Sequence, residues 1–228
     1  MAIDALIKDS GASPSDRRER YGWLLLAILS AFAVQGIAHP GPWEQVVVSF
    51  LLAATLLLAG RASDVRPAAM RVSLVVATLV VAASVVEAVS GTTDGPASRF
   101  ANLLLVTLAP PVIVLGVIRS LRKRSQVTIE AVFGVLCLYI LLGMFFALVY
   151  AALDRYAGPF FANNAPGTTS NCLYFSFTTL TTVGFGDLTS RTNLGHTLSS
   201  LEALTGQIYL VTVVSLLVGN LRRRGPAE

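Results

Sequence analysis

Charged residues are scarce in this sequence. Asp, Glu, Lys and Arg make up 13% of its 228 residues, whereas 54% are hydrophobic. A soluble domain carries about 25% charged residues, so this chain has too few charges to cover a water-facing surface. We therefore expect an all-α integral membrane protein. The net charge of +4 does not indicate nucleic-acid binding, because the basic residues lie in short clusters between apolar runs.

Groups that carry out catalysis or hold a metal are also few. The sequence has two histidines, His39 and His196, and no His-x-x-x-His or Cys-x-x-Cys pattern. An enzyme needs a nucleophile with a base, or metal ligands, gathered at one place, so we expect neither an enzyme nor a cofactor. Cys137 and Cys172 provide no disulfide framework, and we expect them to be buried free thiols.

Six apolar runs are candidates for membrane crossings. A spanning helix needs about 20 residues. The runs cover residues 21–38, 43–59, 72–89, 100–118, 129–153 and 198–221. Pro110-Pro111 should kink the fourth run, because proline removes a helix hydrogen bond. The sequence thus predicts six transmembrane helices.

Arginine and lysine are distributed unevenly over the connections. Fourteen of the 17 lie in the two tails and in the connections after the second and fourth runs, and three lie elsewhere. Cytoplasmic loops are enriched in these residues, so we expect both termini to be cytoplasmic in a multi-pass plasma (inner) membrane protein. The basic clusters would contact anionic lipid headgroups.

A threonine- and glycine-rich segment separates the last two runs. Thr181 and Thr182 are followed by Val183-Gly184-Phe185-Gly186 and then by Asp187. Gly184 and Gly186 can take positive φ at little steric cost, which allows successive backbone carbonyls to face one axis. A dehydrated cation needs such oxygen ligands. Val183 and Phe185 would then point away from that axis and pack against a supporting helix.

A short helix should precede this segment. Thr168-Thr169-Ser170 offers side-chain oxygens that can cap a helix N-terminus. A helix from about Ser170 to Thr181 would be roughly 18 Å long at 1.5 Å per residue, which is about half of a 30 Å hydrocarbon core. We therefore expect a re-entrant helix between helices five and six, its carbonyl end directed at the membrane centre.

The segment resembles the selectivity filter of potassium channels, Thr-Val-Gly-Tyr-Gly-Asp, with Phe185 in place of the tyrosine. We call residues 182–186 the filter segment. The resemblance implies that K⁺ is held by carbonyls of the filter segment and by the Thr182 hydroxyl, with Asp187 at the outer mouth. The residues implied as ligands are Thr182, Val183, Gly184, Phe185 and Gly186. It also implies a homotetramer, because each chain carries one such segment.

The same resemblance divides the chain. Residues 129–221 resemble a pore domain, and residues 21–118 occupy the place of a four-helix voltage-sensor domain. The remainder would be cytoplasmic: residues 1–20, 119–128 and 222–228. A voltage sensor needs several basic residues within its fourth helix, and the run 100–118 has none, so we do not expect conventional voltage gating. The first four helices are either a scaffold or a sensor of another stimulus. Since no ligand-binding domain follows in this sequence, we expect no gating by such a domain on this chain.

Several residues in the helices are further candidates. Gly206 lies where potassium channels bend the inner helix, although it could equally allow close helix packing. Gln207 and Thr181 are candidates for the water-filled cavity, and Gln207 could instead bond a neighbouring helix. Gln35 and Glu87 lie in apolar runs, where each could be functional or solvated near the interface.

Two departures from the family pattern concern the back of the filter. Phe185 lacks the phenol hydroxyl that a tyrosine would offer to the supporting helix. Thr178 stands where some relatives place a carboxylate that pairs with the residue at Asp187. The sequence therefore predicts a potassium-selective channel with fewer hydrogen bonds behind its filter. The alternatives are a non-selective cation channel and a potassium transporter subunit, although transporters usually carry internal repeats, and only one filter-like segment occurs here.

Overall fold

The computed structural model describes residues 14–37, 42–63, 67–90, 104–108, 112, 114 and 129–222. Within these ranges the chain is almost wholly helical, with one isolated antiparallel bridge between Phe161 and Ser190. The helices are α1 (Pro14–Ile37), α2 (Pro42–Ala62), α3 (Pro67–Val89), α4 (Ile129–Ala157), α5 (Thr169–Leu180) and α6 (Asn193–Arg222). Residues 104–108, 112 and 114 are also helical.

The helices follow the predicted runs but extend beyond several of them. α1, α2 and α3 each begin at a proline, at Pro14, Pro42 and Pro67. Proline suits the first helical position, because the missing N–H would have no partner there. The predicted kink at Pro110-Pro111 and the linker 119–128 lie outside the described residues.

Three helices in the described part of the chain are long and apolar enough to cross a membrane. These spans are Glu19–Ile37, Pro67–Val89 and Val132–Ala157, and Val46–Ala62 is a shorter apolar helix. The all-helical architecture is therefore that of a membrane protein, and six crossings remain a prediction.

α1 joins the N-terminal helices to the C-terminal ones. It packs against α2, which in turn packs against α3, and it also contacts α4 and α5. Leu24, Ile28 and Ala31 are fully buried on α1, at the spacing of one helix face. Near the end of α1, Phe32 packs edge-to-face on Phe177 of α5, with ring centroids 4.8 Å apart.

α5 lies between α4 and α6 at two glycines. A Cβ on Gly143 of α4 would come within 2.6 Å of the Phe177 ring, and a Cβ on Gly206 of α6 would come within 2.3 Å of the Leu180 carbonyl oxygen. Real Cβ atoms do not approach other atoms this closely, so both neighbouring helices meet α5 through a residue without a side chain. These contacts fix the position of the helix that leads into the filter segment.

An aromatic cluster packs on Phe175 in the middle of α5. Tyr150, Phe160, Phe161 and Phe175 are buried and make stacked or edge-to-face ring contacts with centroids 4.8–5.6 Å apart. The strand-like pairing beside it joins the segments before and after α5: Ala162 N–H donates to the Thr189 carbonyl at 2.9 Å. The connection from α4 to α5 and the connection from α5 to α6 are therefore paired next to the aromatic cluster.

Candidate functional site

The helix before the filter segment starts as predicted. The Thr168 side chain accepts a hydrogen bond from Asn171 N–H at 3.2 Å and caps α5. α5 then runs for 12 residues to Leu180, about 18 Å at the standard rise. The predicted cap and length of this helix are therefore present, although its boundaries differ from the predicted ones by one residue at each end.

The filter segment has an alternating backbone. Thr182, Gly184 and Gly186 have φ of 58°, 51° and 82°, whereas Val183 and Phe185 between them keep negative φ. A backbone that alternates between positive (left-handed) and negative (right-handed) φ can bring successive carbonyls toward one side of the chain and N–H groups toward the other. Positive φ at Gly184 and Gly186 agrees with the expectation from sequence. The positive φ at Thr182 was not predicted from the sequence, because threonine rarely adopts this conformation.

Backbone bonds to α5 hold the segment in this form. Gly184 N–H donates to the Thr178 carbonyl at 3.1 Å, and Thr182 N–H donates to the Thr179 carbonyl at 2.9 Å. The Thr181 hydroxyl donates back to the Phe177 carbonyl at 2.6 Å. The hydroxyl of Thr181, a cavity candidate, is thus already donated to the last turn of α5. The Thr181 side chain remains exposed.

The residues beyond Gly184 are tied to α5 by Tyr174. Its ring lies parallel to that of Phe185, with centroids 6.2 Å apart and an interplanar angle of 4°. Its hydroxyl donates to Asp187 Oδ1 at 3.1 Å. Phe185 therefore makes a ring contact with the supporting helix, but it keeps 70% of its side chain exposed in the single chain and Val183 keeps 55%, so the close packing expected of both residues is present only in part.

Asp187 also receives a bond from outside α5, because the Asn163 amide donates to its carbonyl at 3.1 Å. Thr178, the position at which some relatives carry a carboxylate, instead donates its hydroxyl to the Phe175 carbonyl. Asp187 is therefore held by a phenol and not by a carboxyl group. The sequence did not indicate the Tyr174 contact, because the two residues lie 13 positions apart, on either side of the end of α5.

Gln207 reaches the inner end of the filter segment. Its Nε2 donates to the Thr182 hydroxyl oxygen at 3.0 Å. The neighbouring Gly206 is buried against the Leu180 carbonyl, a contact that supports the packing interpretation of this glycine. α6 is continuous through both residues, and bending at Gly206 stays a prediction.

Glu202 is the residue that the sequence analysis overlooked. It lies on α6, four residues before Gly206, with 0% of its surface exposed. Its carboxyl group contacts the Tyr150 hydroxyl of α4 at 2.7 Å and the Ser176 hydroxyl of α5 at 2.5 Å. The sequence did contain an indication of its importance. Glu202 is a carboxylate within the apolar run 198–221, and such a residue is a candidate functional residue in the same way as Glu87.

The other polar candidates lie away from the filter segment. Glu87 is half-buried on α3 and His196 is exposed, with its Nε2 2.8 Å from the Ser190 carbonyl. The solvated interpretation of Gln35 is wrong, because the side chain is 1% exposed and its Nε2 has no hydrogen-bond partner in the described part of the chain. Cys137 and Cys172 are buried free thiols, as predicted.

Comparisons with known proteins concern the same region. Residues 134–223 match the model of a family described as Ion channel. Over 86 residues the chain is 35% identical to the inward rectifier potassium channel Kirbac3.1 of Paramagnetospirillum magnetotacticum. That similarity covers 38% of this chain and 28% of the relative, so the chain spans less than a third of the length of the curated protein it matches. No solved structure has significant similarity to the chain.

These matches have two consequences. They point to a channel and not to an enzyme, and they support a relationship to potassium channels. Together with the three apolar helices of spanning length, the ion channel match indicates a membrane protein. The matched residues 134–223 include all of α5 and the filter segment, together with most of α4 and all of α6.

Proposed function

We propose that the chain is a subunit of a potassium-selective channel and that the filter segment forms the ion path. The observation that carries this proposal is the alternation of backbone hand from Thr182 to Gly186. An ordinary strand directs successive carbonyls to opposite sides, whereas a backbone that alternates between positive and negative φ can direct them to one side. Carbonyl oxygens arranged in this way can replace the water around a K⁺ ion.

The proposed ligands are the carbonyls of the filter segment and the Thr182 hydroxyl oxygen. The hydroxyl has two lone pairs, so it can accept the Gln207 bond and still face an ion. α5 ends two residues before Thr182, and the negative end of its dipole favours a cation nearby. Transport is passive, down the electrochemical gradient, and requires no cofactor.

The functional unit is a homotetramer in this proposal. All residues from 181 to 187 are exposed in the single chain, yet non-helical backbone at membrane depth must be buried in protein or line water. α6 also carries a row of exposed apolar side chains. These are Leu201, Leu204, Ile208 and Val211. Copies of the chain around one axis would cover this row and close a ring of carbonyls.

The remaining features of the proposal concern the membrane. Six crossings place both termini in the cytoplasm of a plasma membrane protein, with residues 21–118 as a four-helix domain ahead of the pore domain 129–221. Arg61 and Arg71 are exposed around the α2–α3 connection, where anionic lipid headgroups would bind. Because the run 100–118 lacks basic residues, opening does not depend steeply on voltage.

Flux through the purified protein in liposomes tests this function. We expect K⁺ uptake driven by a K⁺ gradient, little Na⁺ uptake, and currents far above transporter turnover. Equal uptake of both ions would indicate the non-selective channel, and slow uptake without unitary currents would indicate a transporter subunit.

A pair of glycine variants tests the role of the filter segment. Gly184 (φ 51°) and Gly158 (φ 95°) both have positive φ and open space where a Cβ would lie. Alanine is strained at both positions, by about 1 kcal/mol or more, but only Gly184 lies in the proposed ion path. We expect Gly184→Ala to abolish selective K⁺ uptake and Gly158→Ala to retain it. Equal effects of the two variants would contradict the assignment.

A further inference from the structure

Glu202 joins three helices at one buried point. Its Oε2 accepts a hydrogen bond from the Tyr150 hydroxyl of α4 at 2.7 Å, and its Oε1 lies 2.5 Å from the Ser176 hydroxyl oxygen of α5. The Ser176 hydroxyl also donates to the Gly143 carbonyl of α4 at 2.7 Å. Glu202, Ser176 and Tyr150 are each fully buried, so no solvent contact replaces these bonds.

The protons of this cluster can be counted. Three oxygen–oxygen contacts of 2.5–2.7 Å are present, and contacts of this length are hydrogen bonds that each need a proton. The hydroxyls of Tyr150 and Ser176 supply one proton each. The Gly143 carbonyl cannot donate, so the Ser176 proton is used in that bond. The contact between Ser176 and Glu202 therefore lacks a proton unless the carboxyl group provides it.

We infer that Glu202 is a neutral carboxylic acid whose Oε1 proton is donated to the Ser176 hydroxyl. The bonds then run in one direction: Tyr150 donates to Oε2, Oε1–H donates to Ser176, and Ser176 donates to the Gly143 carbonyl. An ionised carboxylate would leave two oxygens facing each other without a proton, in a buried place where the charge itself is costly. The described partners of the carboxyl oxygens are hydroxyls, not cations.

The position of Glu202 indicates that it supports the filter segment. This part of the inference rests on the proposed function. Ser176 lies on α5, whose last turn bonds Gly184 and Thr182 through backbone carbonyls. By fixing α5 between α4 and α6, Glu202 acts as a positioning residue for the filter segment. It touches no ion itself.

Glutamine and alanine variants separate the neutral acid from the alternatives. In Glu202→Gln, the amide oxygen can accept from Tyr150 while Nε2 donates to Ser176, so the variant reproduces the hydrogen bonds of the protonated acid. Glu202→Ala removes both bonds and leaves a cavity. Glu87→Gln is the matched control, because it changes the same groups on the half-buried face of α3.

Infrared difference spectra of the purified protein at neutral pH read the proton directly. We expect wild type minus Glu202→Gln to contain the C=O stretching band of a protonated carboxylic acid, and wild type minus Glu87→Gln to lack it. Carboxylate bands in place of that C=O band would overturn the inference. This measurement does not require the protein to conduct, so it stands even if the proposed function fails.

Potassium uptake in liposomes tests the positioning role. We expect Glu202→Gln to stay within about twofold of wild type and Glu202→Ala to lose about tenfold or more, since a buried group left without its partner is strongly destabilising. Impairment of Glu202→Gln as severe as that of Glu202→Ala would refute the role, and so would unimpaired uptake by Glu202→Ala. If wild type takes up no K⁺ at all, the proposed function and the positioning role fall together, and the infrared result decides the proton alone.

Discussion

Tyr174 changes the interpretation of Phe185, the residue that stands where the potassium channel pattern has a tyrosine. The sequence predicted fewer hydrogen bonds behind the filter, because Phe185 has no hydroxyl. In the structure a phenol is nevertheless present beside it, on α5, where Tyr174 stacks on Phe185 and donates to Asp187. One tyrosine of the helix therefore supplies both a ring contact and a hydrogen bond to the segment around Gly186.

The bond between Gln207 and Thr182 leads to a prediction at the same scale. Thr182 has an unfavourable φ of 58°, and the Gln207 amide restrains the hydroxyl that we propose as an ion ligand. We expect Gln207→Ala to lower the K⁺ over Na⁺ permeability ratio about fivefold, the equivalent of a net hydrogen bond of about 1 kcal/mol. Reversal potentials of the reconstituted protein under bi-ionic conditions measure this ratio.

Thr205→Ala is the control for that variant. Thr205 is also exposed on α6, but its hydroxyl donates to the Leu201 carbonyl within the same helix. We expect its permeability ratio to equal that of wild type. An unchanged ratio in Gln207→Ala would show that the bond to Thr182 has no part in selectivity.

At the scale of helices, a variant of Gly206 can show whether this glycine serves close packing or helix bending. A Cβ at this position would lie 2.3 Å from the Leu180 carbonyl oxygen, and a backbone atom cannot turn aside as a flexible side chain can. We expect Gly206→Ala to destabilise the protein by about 1–3 kcal/mol, the usual cost of overpacking. Thermal unfolding in detergent, followed by circular dichroism, measures the change.

Gly22→Ala on α1 provides the matched control. In the described part of the chain, apart from the backbone of α1 itself, no atom lies within 4 Å of the Cβ that it would add, and alanine is favoured over glycine within a helix by about 1 kcal/mol. We expect it to be neutral or stabilising. If Gly206→Ala kept full stability yet altered channel opening, the glycine would serve bending and not close packing.

The sequence predicted local features better than contacts between helices. The Thr168 cap, the length of α5 and the positive φ at both glycines each depend on a few neighbouring residues, so the sequence was sufficient for them. Helix ends were less accurate. α4 continues to Ala157 and α6 begins at Asn193, because polar residues outside an apolar run can still extend its helix.

The missed features depend on residues far apart in the chain. Glu202 meets Tyr150 across 52 positions and Ser176 across 26, and Gly206 meets Leu180 across a similar span. No periodicity within a single run indicates which hydroxyl will lie opposite a buried carboxyl group. Only the packing of α4, α5 and α6 brings these groups together.

For the whole molecule, the N-terminal helices are more than a separate layer. The Ser170 hydroxyl at the start of α5 donates to the Gly36 carbonyl near the end of α1 at 3.0 Å, and Phe32 packs on Phe177. α1 thus contacts the helix that leads into the filter segment. This arrangement favours the scaffold interpretation of the first helices, because support of α5 is a structural task that needs no gating charge.

The exposed row on α6 leads to a prediction about assembly. A single chain exposes 60% of Leu204 and 65% of Ile208, and neighbouring copies around the proposed pore would bury such side chains. We expect native mass spectrometry of the wild type in detergent to give particles of four chains. The double variant Leu204→Asn with Ile208→Asn should dissociate them, because polar groups would be buried at the interface without designed partners.

The control for this variant carries the same change on another helix. Leu79 of α3 is as exposed as Leu204, at 64% against 60%, but α3 contacts α2 and lies away from the filter segment. Leu79→Asn should therefore leave the four-chain particle intact, because detergent and lipid, not a second copy, cover that face. Dissociation by Leu79→Asn as well would mean that the assembly uses α3, and a monomeric wild type would remove the ring of carbonyls on which potassium selectivity depends.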